Sequence, residues 1–415
     1  MVLFIWSMFM RPLEYLKYYL PFKLNLHSLK ATEAEKNILC IIPQMVQGGV
    51  EKVILTIAQE VDNQKFSFHL MTTLSSANEW RSKFEPYFQN IVTPVRKGNN
   101  GPCCSSIYCE YISALVKKLN IDVILISHSL KGYECLSRLK EKFQVEIVDI
   151  LHNDVYPPID VIIKTAPLVD KRICISNKLK NYILESYKIH GIFDRYVERL
   201  EVINNGVDTK VYKINPQRKG CFKSRYSIPQ DSKIVSFIGR LSEEKNPSLF
   251  AEIGARILAR MPTNVHFVVA GDGPELEKVK SIIKNKNLNA NFTLTGTIDD
   301  VVDLLNDTDV LLVVSRIEGV PIVILEAMSV GVPVISTNAG AISEVIENNV
   351  NGFLIDLANG NYDIAKSFEN KILDLIEGRI GYSAYSSRAR ETIAANFTLE
   401  MMGTKYQRVF EELIK

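Results

Sequence analysis

The sequence has little of what would place it in a special class of proteins. Its 415 residues contain no run of about 18 apolar residues, so no membrane-spanning helix is predicted. Lysine and arginine total 49 against 47 aspartates and glutamates, and a net charge of +2 gives no argument for a nucleic-acid partner. With 47% hydrophobic and 23% charged residues, the composition is that of a globular chain with room for two cores.

The cysteines also lack a recognisable framework. There are seven of them, an odd number, and no two are spaced as CxxC. Cys103, Cys104 and Cys109 are close in sequence, but no histidine lies nearby at a spacing typical of zinc ligands. We therefore expect reduced thiols in a cytoplasmic protein, most of them small core residues.

What the sequence does contain is an alternation of strand and helix patterns. Short apolar runs such as NILCIIP and DVILISHS are separated by amphipathic segments, and the alternation restarts near residue 210. This pattern predicts an α/β fold with parallel sheets in two Rossmann-like domains. We place them at residues 37–210, completed by a terminal helix at 398–415, and at 211–397. The polar stretch NPQRKGCFKSRYSIPQDSK between them is interpreted as a linker or surface loop.

Residues 1–36 form a separate N-terminal extension. Residues 1–30 interleave aromatic side chains with lysines and carry a charge of +3, with Arg11 and three lysines against one glutamate. Such a segment suits the interface of a membrane, where aromatic rings enter the headgroup region and cations meet anionic lipid. Packing on the protein's own surface or in a dimer explains the same residues equally well.

The most informative stretch is SRIEGVPIVILEAMSVGVPVISTNAG, at residues 315–340. Pro321 suits the first position of a helix and Gly331 suits its end. The residues between them are apolar on nearly every side, which predicts a buried helix. Glu326 lies inside this helix, and a buried carboxylate needs a partner. Two partners are open: the diol of a ligand, or an arginine elsewhere in the chain.

The surroundings of this helix favour a ligand. Its N-terminus, at Gly319 and Val320, offers free N–H groups to an anion, and Glu318 immediately precedes it. The resulting order of carboxylate, anion site and carboxylate matches the sugar, diphosphate and ribose of a nucleotide-sugar. The end of another strand of the same predicted sheet, IVSFIG, adds Arg240 and Lys245, whose charge suits a diphosphate.

Five motifs together resemble retaining glycosyltransferases of family 4. They are GGVE at 48–51, VINNGVD at 202–208, GRLSEEKNP at 239–247, GDGPE at 271–275 and the segment EGVPIVILEAMSVGVPVISTNAG. The resemblance covers the chain from about residue 38 and implies the GT-B fold, in which two Rossmann-like domains face each other across a cleft. The Glu-x7-Glu element is its most specific part, whereas GDGPE alone would be weak.

The resemblance also implies individual roles. Arg240 and Lys245 would hold the diphosphate and stabilise its charge as it leaves, Glu318 would face the transferred sugar, and Glu326 would bind the ribose. The donor-binding set is completed by backbone around the ligand, at Gly48, Gly49, Gly271, Gly273, Gly319 and Val320.

In the first domain, His152 matches the histidine that family members place beside the sugar. His128 also ends a predicted strand, but a packing role explains it at least as well. Asn205 and Gly206, in the turn between the domains, are expected to be structural.

The sequence Asp-Thr-Asp at 307–309 resembles a metal-binding motif of the other glycosyltransferase fold. It precedes a buried strand and so lies at the amino edge of the sheet, away from the expected ligand. Capping and turn formation explain it better. We therefore expect no metal and no cofactor, and a front-face displacement with retention, as the family implies.

The predicted function is transfer of a hexosyl unit from a nucleotide-diphosphate sugar to a glycan or lipid-linked acceptor. A UDP-sugar is the first choice of donor, and the expected role is in the synthesis of a surface polysaccharide such as lipopolysaccharide. The enzyme would be cytoplasmic, with peripheral contact at the inner face of the membrane. A nucleotide-sugar epimerase and a non-catalytic subunit of a polysaccharide assembly complex are the alternatives. An epimerase would not need the Glu-x7-Glu element, and a decayed subunit would not retain Arg240, Lys245, Glu318 and Glu326.

Overall fold

A computed structural model describes residues 26–30, 34–74, 78–93, 105–261, 264–357 and 360–414. Most of the predicted membrane segment, together with Cys103 and Cys104, lies outside these residues. The chain divides into two compact units. Unit 1 comprises the residues up to Asn204 and those from Met402 onward, and unit 2 comprises Asn205–Met401. The division thus falls a few residues before the position given by the sequence pattern.

Unit 1 is built on a sheet of seven parallel strands in the order β3-β2-β1-β4-β5-β6-β7. The central strands are buried along almost their whole length, as expected of a sheet covered on both faces. The strands are β1 Lys36–Ile42, β2 Phe66–Thr72, β3 Asn90–Val92, β4 Val123–Ser127, β5 Glu146–Leu151, β6 Lys171–Cys174 and β7 Leu200–Val202.

Helices connect these strands and cover the sheet. They are α1 Gly49–Glu60, α2 Arg81–Phe84, α3 Ser105–Leu119, α4 Leu130–Lys142, α5 Ile159–Thr165, α6 Asn177–Ile189 and α7 Phe193–Tyr196, with 3-10 turns at Leu26–Ser28 and Val197–Arg199. Leu26 and Leu29 pack against the core of this unit. This contact involves only the end of the N-terminal segment, and the choice between membrane contact and packing stays a prediction.

Unit 2 repeats the architecture with six parallel strands in the order β10-β9-β8-β11-β12-β13. Its main core lies on one face of the sheet, where alternate strand residues such as Phe267 and Phe353 pack with Phe250. The strands are β8 Lys233–Ile238, β9 Val265–Ala270, β10 Phe292–Gly296, β11 Thr308–Val313, β12 Val334–Thr337 and β13 Phe353–Ile355.

The helices of unit 2 again alternate with the strands. They are α8 Cys221–Arg225, α9 Pro247–Arg260, α10 Leu276–Asn285, α11 Val301–Asp307, α12 Ile322–Val330, α13 Gly360–Ile376 and α14 Tyr382–Asn396, with 3-10 turns at Pro216–Arg218, Glu243–Lys245, Asn289–Asn291 and Ile342–Glu344. The last helix, α15 Leu399–Leu413, buries one stripe that includes Tyr406 and Phe410 and contributes to unit 1 from Met402 onward.

The polar stretch after residue 214 is not a linker. It contains α8, and Phe222 in that helix is fully buried. The helix is held by Asp307, whose carboxylate accepts from the backbone N–H groups of Gly220 at 2.5 Å and Lys223 at 3.0 Å. The prediction was wrong because composition alone cannot show that a distant carboxylate caps these residues.

The cysteines differ from expectation at one pair. Cys109 of α3 and Cys135 of α4 form a disulfide, with their Cα atoms 5.1 Å apart. Cys40 and Cys174 are free and buried, as expected of small core residues, whereas Cys221 is exposed. Each described helix is too short or too polar to cross a bilayer.

Candidate active site

Two loops of unit 2 pack backbone against backbone at the carboxyl edge of its sheet. The loop after β8 donates from Leu241 N–H to the Asp272 carbonyl in the loop after β9, at 2.9 Å. A Cβ atom on Gly271 would lie 1.9 Å from the Gly239 carbonyl oxygen, and one on Gly273 would lie 2.5 Å from that of Leu241. Gly271 and Gly273 are therefore needed for the approach of these loops. Their contact with a donor stays a prediction.

Glu318 and Lys245 come together at this edge. The Lys245 Nζ lies 2.6 Å from Glu318 Oε1, and the Ser315 hydroxyl donates to the same oxygen at 2.7 Å. Glu318 is buried and Lys245 is partly exposed. Because burial removes water that would screen the charges, the pair fixes the carboxylate in one place. The sequence reasoning did not find Ser315, although it lies only three residues before Glu318.

Gly340 is a second residue that the sequence reasoning missed. A Cβ atom there would lie 1.7 Å from the Glu318 carbonyl oxygen, and its φ of +53° is a conformation that favours glycine. The next residue, Ala341, donates its N–H to the Gly319 carbonyl at 3.1 Å. The loop after β12 therefore supports the backbone that carries Glu318.

Arg240 is placed differently from Lys245. Its side chain is exposed, and it forms no ion pair or hydrogen bond with any other described residue. Both cations follow β8 in the same loop. One is thus held by a buried carboxylate, while the other is available to an anionic ligand.

Glu326 lies in the buried part of α12 and has 3% of its surface exposed. The helix begins at Ile322, one residue later than predicted, because Pro321 keeps an extended ψ of 124° and serves as the N-cap. Gly331 ends the helix with a φ of +83°, as expected. Tyr212 is a nearby side chain: burial raises the pKa of its hydroxyl above the usual value, and the Glu326 carboxylate raises it further.

The backbone before α12 retains free donors. The N–H groups of Gly319 and Val320 donate to no other described residue. The Val320 carbonyl instead accepts from Asn205 Nδ2 at 3.4 Å, and the Asn205 Oδ1 is buried without a partner among the described residues. Gly206 is structural, since a Cβ atom there would lie 2.5 Å from the Thr398 carbonyl oxygen.

Both carboxylates of the Asp-Thr-Asp sequence are used within unit 2. Asp307 caps α8, as described above. Asp309 accepts from the Ile234 N–H at 2.9 Å and from Lys233 Nζ at 3.0 Å. These contacts agree with the interpretation as capping and turn residues. Within the described ranges, histidine, cysteine and acidic side chains form no group of three suited to a metal ion.

In unit 1, Gly48 and Gly49 lie at the start of α1, with Gly48 as the N-cap. The Glu51 side chain folds back over them, so that a Cβ atom on Gly48 would lie 2.4 Å from its Oε2. Burial raises the pKa of the Glu51 carboxyl to about 7, although its own backbone N–H donates to it and lowers the pKa. Sequence reasoning gave no role to this residue of the GGVE motif.

His152 follows β5 directly and is buried next to the end of β4. Its Nε2 lies 2.8 Å from the Ser127 hydroxyl oxygen. The ring of His128 stands edge-on to it, with centroids 5.0 Å apart. Burial, and to a lesser extent the neighbouring His128, holds the pKa of His152 well below its usual value. Burial also lowers the pKa of His128 to about 4, so both imidazoles are neutral at neutral pH.

His128 itself has an unusual backbone and an unsatisfied nitrogen. Its φ of +54° lies in the left-handed region, which costs a non-glycine residue about 1–2 kcal/mol. Its Nε2 is buried without a hydrogen-bond partner among the described residues, and its ring lies 4.9 Å from that of Tyr156. Such strain is concentrated at functional sites. The packing interpretation given from the sequence does not account for these two features.

Comparison with known families agrees with this picture. Residues 221–392 match the family of Glycosyl transferases group 1, and residues 47–211 match Glycosyltransferase Family 4. Together the two matches cover most of the chain. The protein belongs to these glycosyltransferases, and it is a glycosyltransferase enzyme.

The individual relatives have low sequence identity to this chain. The chain is 24% identical to a UDP-Gal:alpha-D-GlcNAc-diphosphoundecaprenol alpha-1,3-galactosyltransferase of Escherichia coli, over 93% of this chain and 99% of the relative. It is also 24% identical to the N-acetyl-alpha-D-glucosaminyl L-malate synthase of Bacillus anthracis, over 74% and 81%. The structure of HepE from Anabaena in complex with UDP-glucose superposes with a TM-score of 0.76 at 19% identity, covering 91% of this chain and 99% of HepE. This likeness establishes the GT-B fold.

Proposed function

We propose that the enzyme transfers a hexosyl unit from a UDP-sugar, with retention of configuration, to a glycan or lipid-linked acceptor in surface polysaccharide synthesis. The observation that carries the proposal is the order of groups along residues 318–326. A buried carboxylate held by Lys245 and Ser315 comes first, then two free N–H groups, then a second buried carboxylate.

These groups fit the parts of a nucleotide-sugar. The N–H groups of Gly319 and Val320, at the start of α12, suit the diphosphate. Arg240 and Lys245 add positive charge beside it, and Glu326 accepts hydrogen bonds from the ribose diol. Glu318 faces the transferred sugar. In unit 1, His152 and the start of α1 at Gly48 and Gly49 stay candidate donor contacts, as the family resemblance implies.

The likeness to characterised proteins supports the choice of donor and acceptor. The Escherichia coli relative is named for transfer from UDP-galactose to a sugar on diphosphoundecaprenol. HepE was solved with UDP-glucose. We therefore place UDP-hexoses first among the donors and a lipid-linked glycan first among the acceptors, with GDP-mannose as the second donor to test.

The proposed reaction needs no covalent nucleophile. The bond between the anomeric carbon and the leaving diphosphate oxygen breaks, and the acceptor oxygen forms its new bond on the same face. The acceptor proton moves to the departing diphosphate. Arg240, Lys245 and the N–H groups of the α12 N-terminus stabilise the charge that grows on that diphosphate, as preorganised donors do in other sites. Two cations and a helix end can do this without a metal ion.

A donor screen tests the proposal. The purified enzyme is incubated with UDP-glucose, UDP-galactose, their N-acetylated forms and GDP-mannose, with and without an undecaprenyl-type glycan acceptor, and the released nucleoside diphosphate is counted. We expect release from one UDP-hexose, stimulated by acceptor and unchanged by EDTA. Conversion of the donor sugar without acceptor would instead indicate an epimerase. Absence of release from every donor would support a non-catalytic subunit.

A second experiment tests the membrane contact proposed for residues 1–30. The full chain should float with anionic liposomes, and a chain starting at residue 31 should not, with binding that falls as salt rises. Equal flotation of both would place the membrane contact elsewhere. Loss of dimerisation on truncation, without flotation of either, would favour packing.

A further inference from the structure

We propose that Ser127 is a positioning residue for His152: it holds the imidazole in the tautomer whose proton is on Nδ1, so that His152 presents a hydrogen-bond donor to an oxygen of the transferred sugar. This inference rests on the proposed function, in which His152 is a candidate contact of the donor. It goes beyond that function because it names the nitrogen that meets the sugar, the direction of the bond and the residue that fixes both.

The sheet of unit 1 brings the two side chains together. Ser127 is the last residue of β4 and is in register with Ile150 of the neighbouring parallel strand β5. His152 follows Ile150 by two residues, so its side chain emerges on the same face of the sheet as that of Ser127. The Ser127 hydroxyl oxygen and His152 Nε2 are 2.8 Å apart as a result. The contact thus joins the ends of two adjacent strands, which hold a side chain more firmly than a free loop does.

Burial decides which of the two groups donates. Ser127 is fully buried, and its hydroxyl has no other hydrogen-bond partner in the described part of the chain. If Nε2–H donated to the hydroxyl oxygen, the serine proton would be left without an acceptor, and a buried donor without a partner is costly. If the serine donates, both groups are satisfied. Nε2 is then the acceptor, and the single proton of a neutral imidazole is on Nδ1.

The imidazole of His152 is neutral, which this direction requires. Burial, and to a lesser extent His128, hold the pKa of His152 well below its usual value. A charged imidazolium would carry a proton on both nitrogens and could not accept from Ser127. The ring of His128 stands edge-on to that of His152 and forms no hydrogen bond with it, so it does not compete with the serine.

Nδ1 is the nitrogen of His152 that a ligand can reach. It forms no hydrogen bond with another described residue, and the fold leaves it open to solvent, whereas Nε2 of His128 is closed off. His152 lies at the carboxyl edge of the sheet, where ligands of parallel α/β domains bind. A group that meets an Nδ1–H there must be a hydrogen-bond acceptor, such as a hydroxyl or carbonyl oxygen of a sugar.

The tautomer is measured by ¹⁵N NMR of the ligand-free protein labelled at its histidines, because a protonated and an unprotonated ring nitrogen differ in chemical shift. The chain has six histidines, and the signals of His152 are identified by their loss in His152→Asn. We expect a protonated Nδ1 and an unprotonated Nε2 at neutral pH. In Ser127→Ala these signals should move toward those of mixed tautomers. Thr293→Val is the matched control: it removes a hydroxyl 2.8 Å from His266 Nε2 in unit 2 and should leave the His152 signals unchanged.

Turnover tests whether this hydrogen-bond donor serves the reaction. The amide nitrogen of an asparagine at position 152 can reach the place of Nδ1, whereas that of a glutamine reaches the place of Nε2. Turnover of His152→Asn should therefore exceed that of His152→Gln by roughly 3- to 10-fold, as for one neutral hydrogen bond. If Ser127 acts through the imidazole, Ser127→Ala should lower turnover of the wild type but change it little in a His152→Asn background. Thr293→Val should change neither.

The outcomes separate the inference from the proposed function. A wild type with its proton on Nε2 or with mixed tautomers, unchanged His152 signals in Ser127→Ala, or an undiminished loss in the His152→Asn background would overturn the role of Ser127 while the donor site stands. Turnover of His152→Gln at or above that of His152→Asn would do the same. Should Ser127→Ala fail to fold, the wild-type spectrum and the two variants at position 152 still decide. A wild type that turns over no donor would overturn the proposed function, and the contact of His152 with a sugar would fall with it.

Discussion

The carboxyl edges of the two sheets carry different chemistry. In unit 2 the edge carries charged groups: Lys245 is paired with the buried Glu318, Glu326 is buried in α12, and Arg240 is exposed. In unit 1, the groups at the corresponding strand ends are neutral at neutral pH, because burial lowers the pKa of His128 and His152.

The difference follows from what each edge is proposed to do. A diphosphate is recognised by full charges and helix N–H groups, which must be present before it arrives. A sugar hydroxyl needs a donor or an acceptor of fixed direction, and a neutral imidazole provides both. The charged edge of unit 2 is thus suited to a diphosphate, and the neutral edge of unit 1 is suited to a sugar hydroxyl.

The largest expected effect comes from removing the positive charges at the edge of unit 2. Arg240→Ala and Lys245→Ala should each lower turnover roughly 10²- to 10³-fold, since the charge on the leaving diphosphate grows in the transition state. Affinity for the bare nucleoside should change little. Turnover and calorimetric binding are compared with those of Lys278→Ala, an exposed lysine of the same unit that pairs with Glu275. Near-normal turnover in both variants would remove these residues from the site.

The next effect concerns Glu51 in unit 1. Its raised pKa means that the folded protein holds this proton more tightly than the unfolded chain does. The stability it contributes is complete below the unfolded value of 4.5 and is lost as pH rises through about 7. Compared with Glu51→Gln, the wild type should therefore lose up to about 3 kcal/mol of unfolding free energy over this window.

Denaturant unfolding at several pH values, followed by tryptophan fluorescence, measures this loss. Both tryptophans of the chain, Trp6 and Trp80, precede Asn204, so the signal reports on the first part of the chain. Glu85→Gln, at an exposed carboxylate paired with Arg81, should leave the wild-type pH dependence unchanged. Parallel curves for the wild type and Glu51→Gln would mean that the Glu51 carboxyl titrates normally.

The smallest expected effect concerns the neutral groups at the edge of unit 1. Ser127→Ala removes the hydrogen bond to His152 and should lower turnover by roughly 3- to 10-fold, as for one neutral hydrogen bond. The control is Ser113→Ala, which alters a buried hydroxyl without a partner among the described residues. If the two variants behave alike, Ser127 has no part in orienting His152.

The sequence predicts much of this fold because its signals are local. Apolar runs predicted the central strands, and Gly331 predicted the end of α12. The edge strands β3, β7 and β13 were not predicted, since three residues are too few to show a period.

What the sequence could not show are partners distant along the chain. Arg172 of β6 and Asp149 of β5 form a fully buried ion pair at 2.8 Å, and the hydroxyls of Tyr133 and Tyr187 are hydrogen-bonded to it. No local pattern brings these four residues together.

A crystal structure of the enzyme with its nucleoside diphosphate tests the central claim most directly. The account predicts ribose hydroxyls within hydrogen-bond distance of Glu326, and a diphosphate on the N–H groups of Gly319 and Val320 with Arg240 and Lys245 beside it. A nucleotide bound with its ribose away from Glu326, or its diphosphate away from the start of α12, would contradict it.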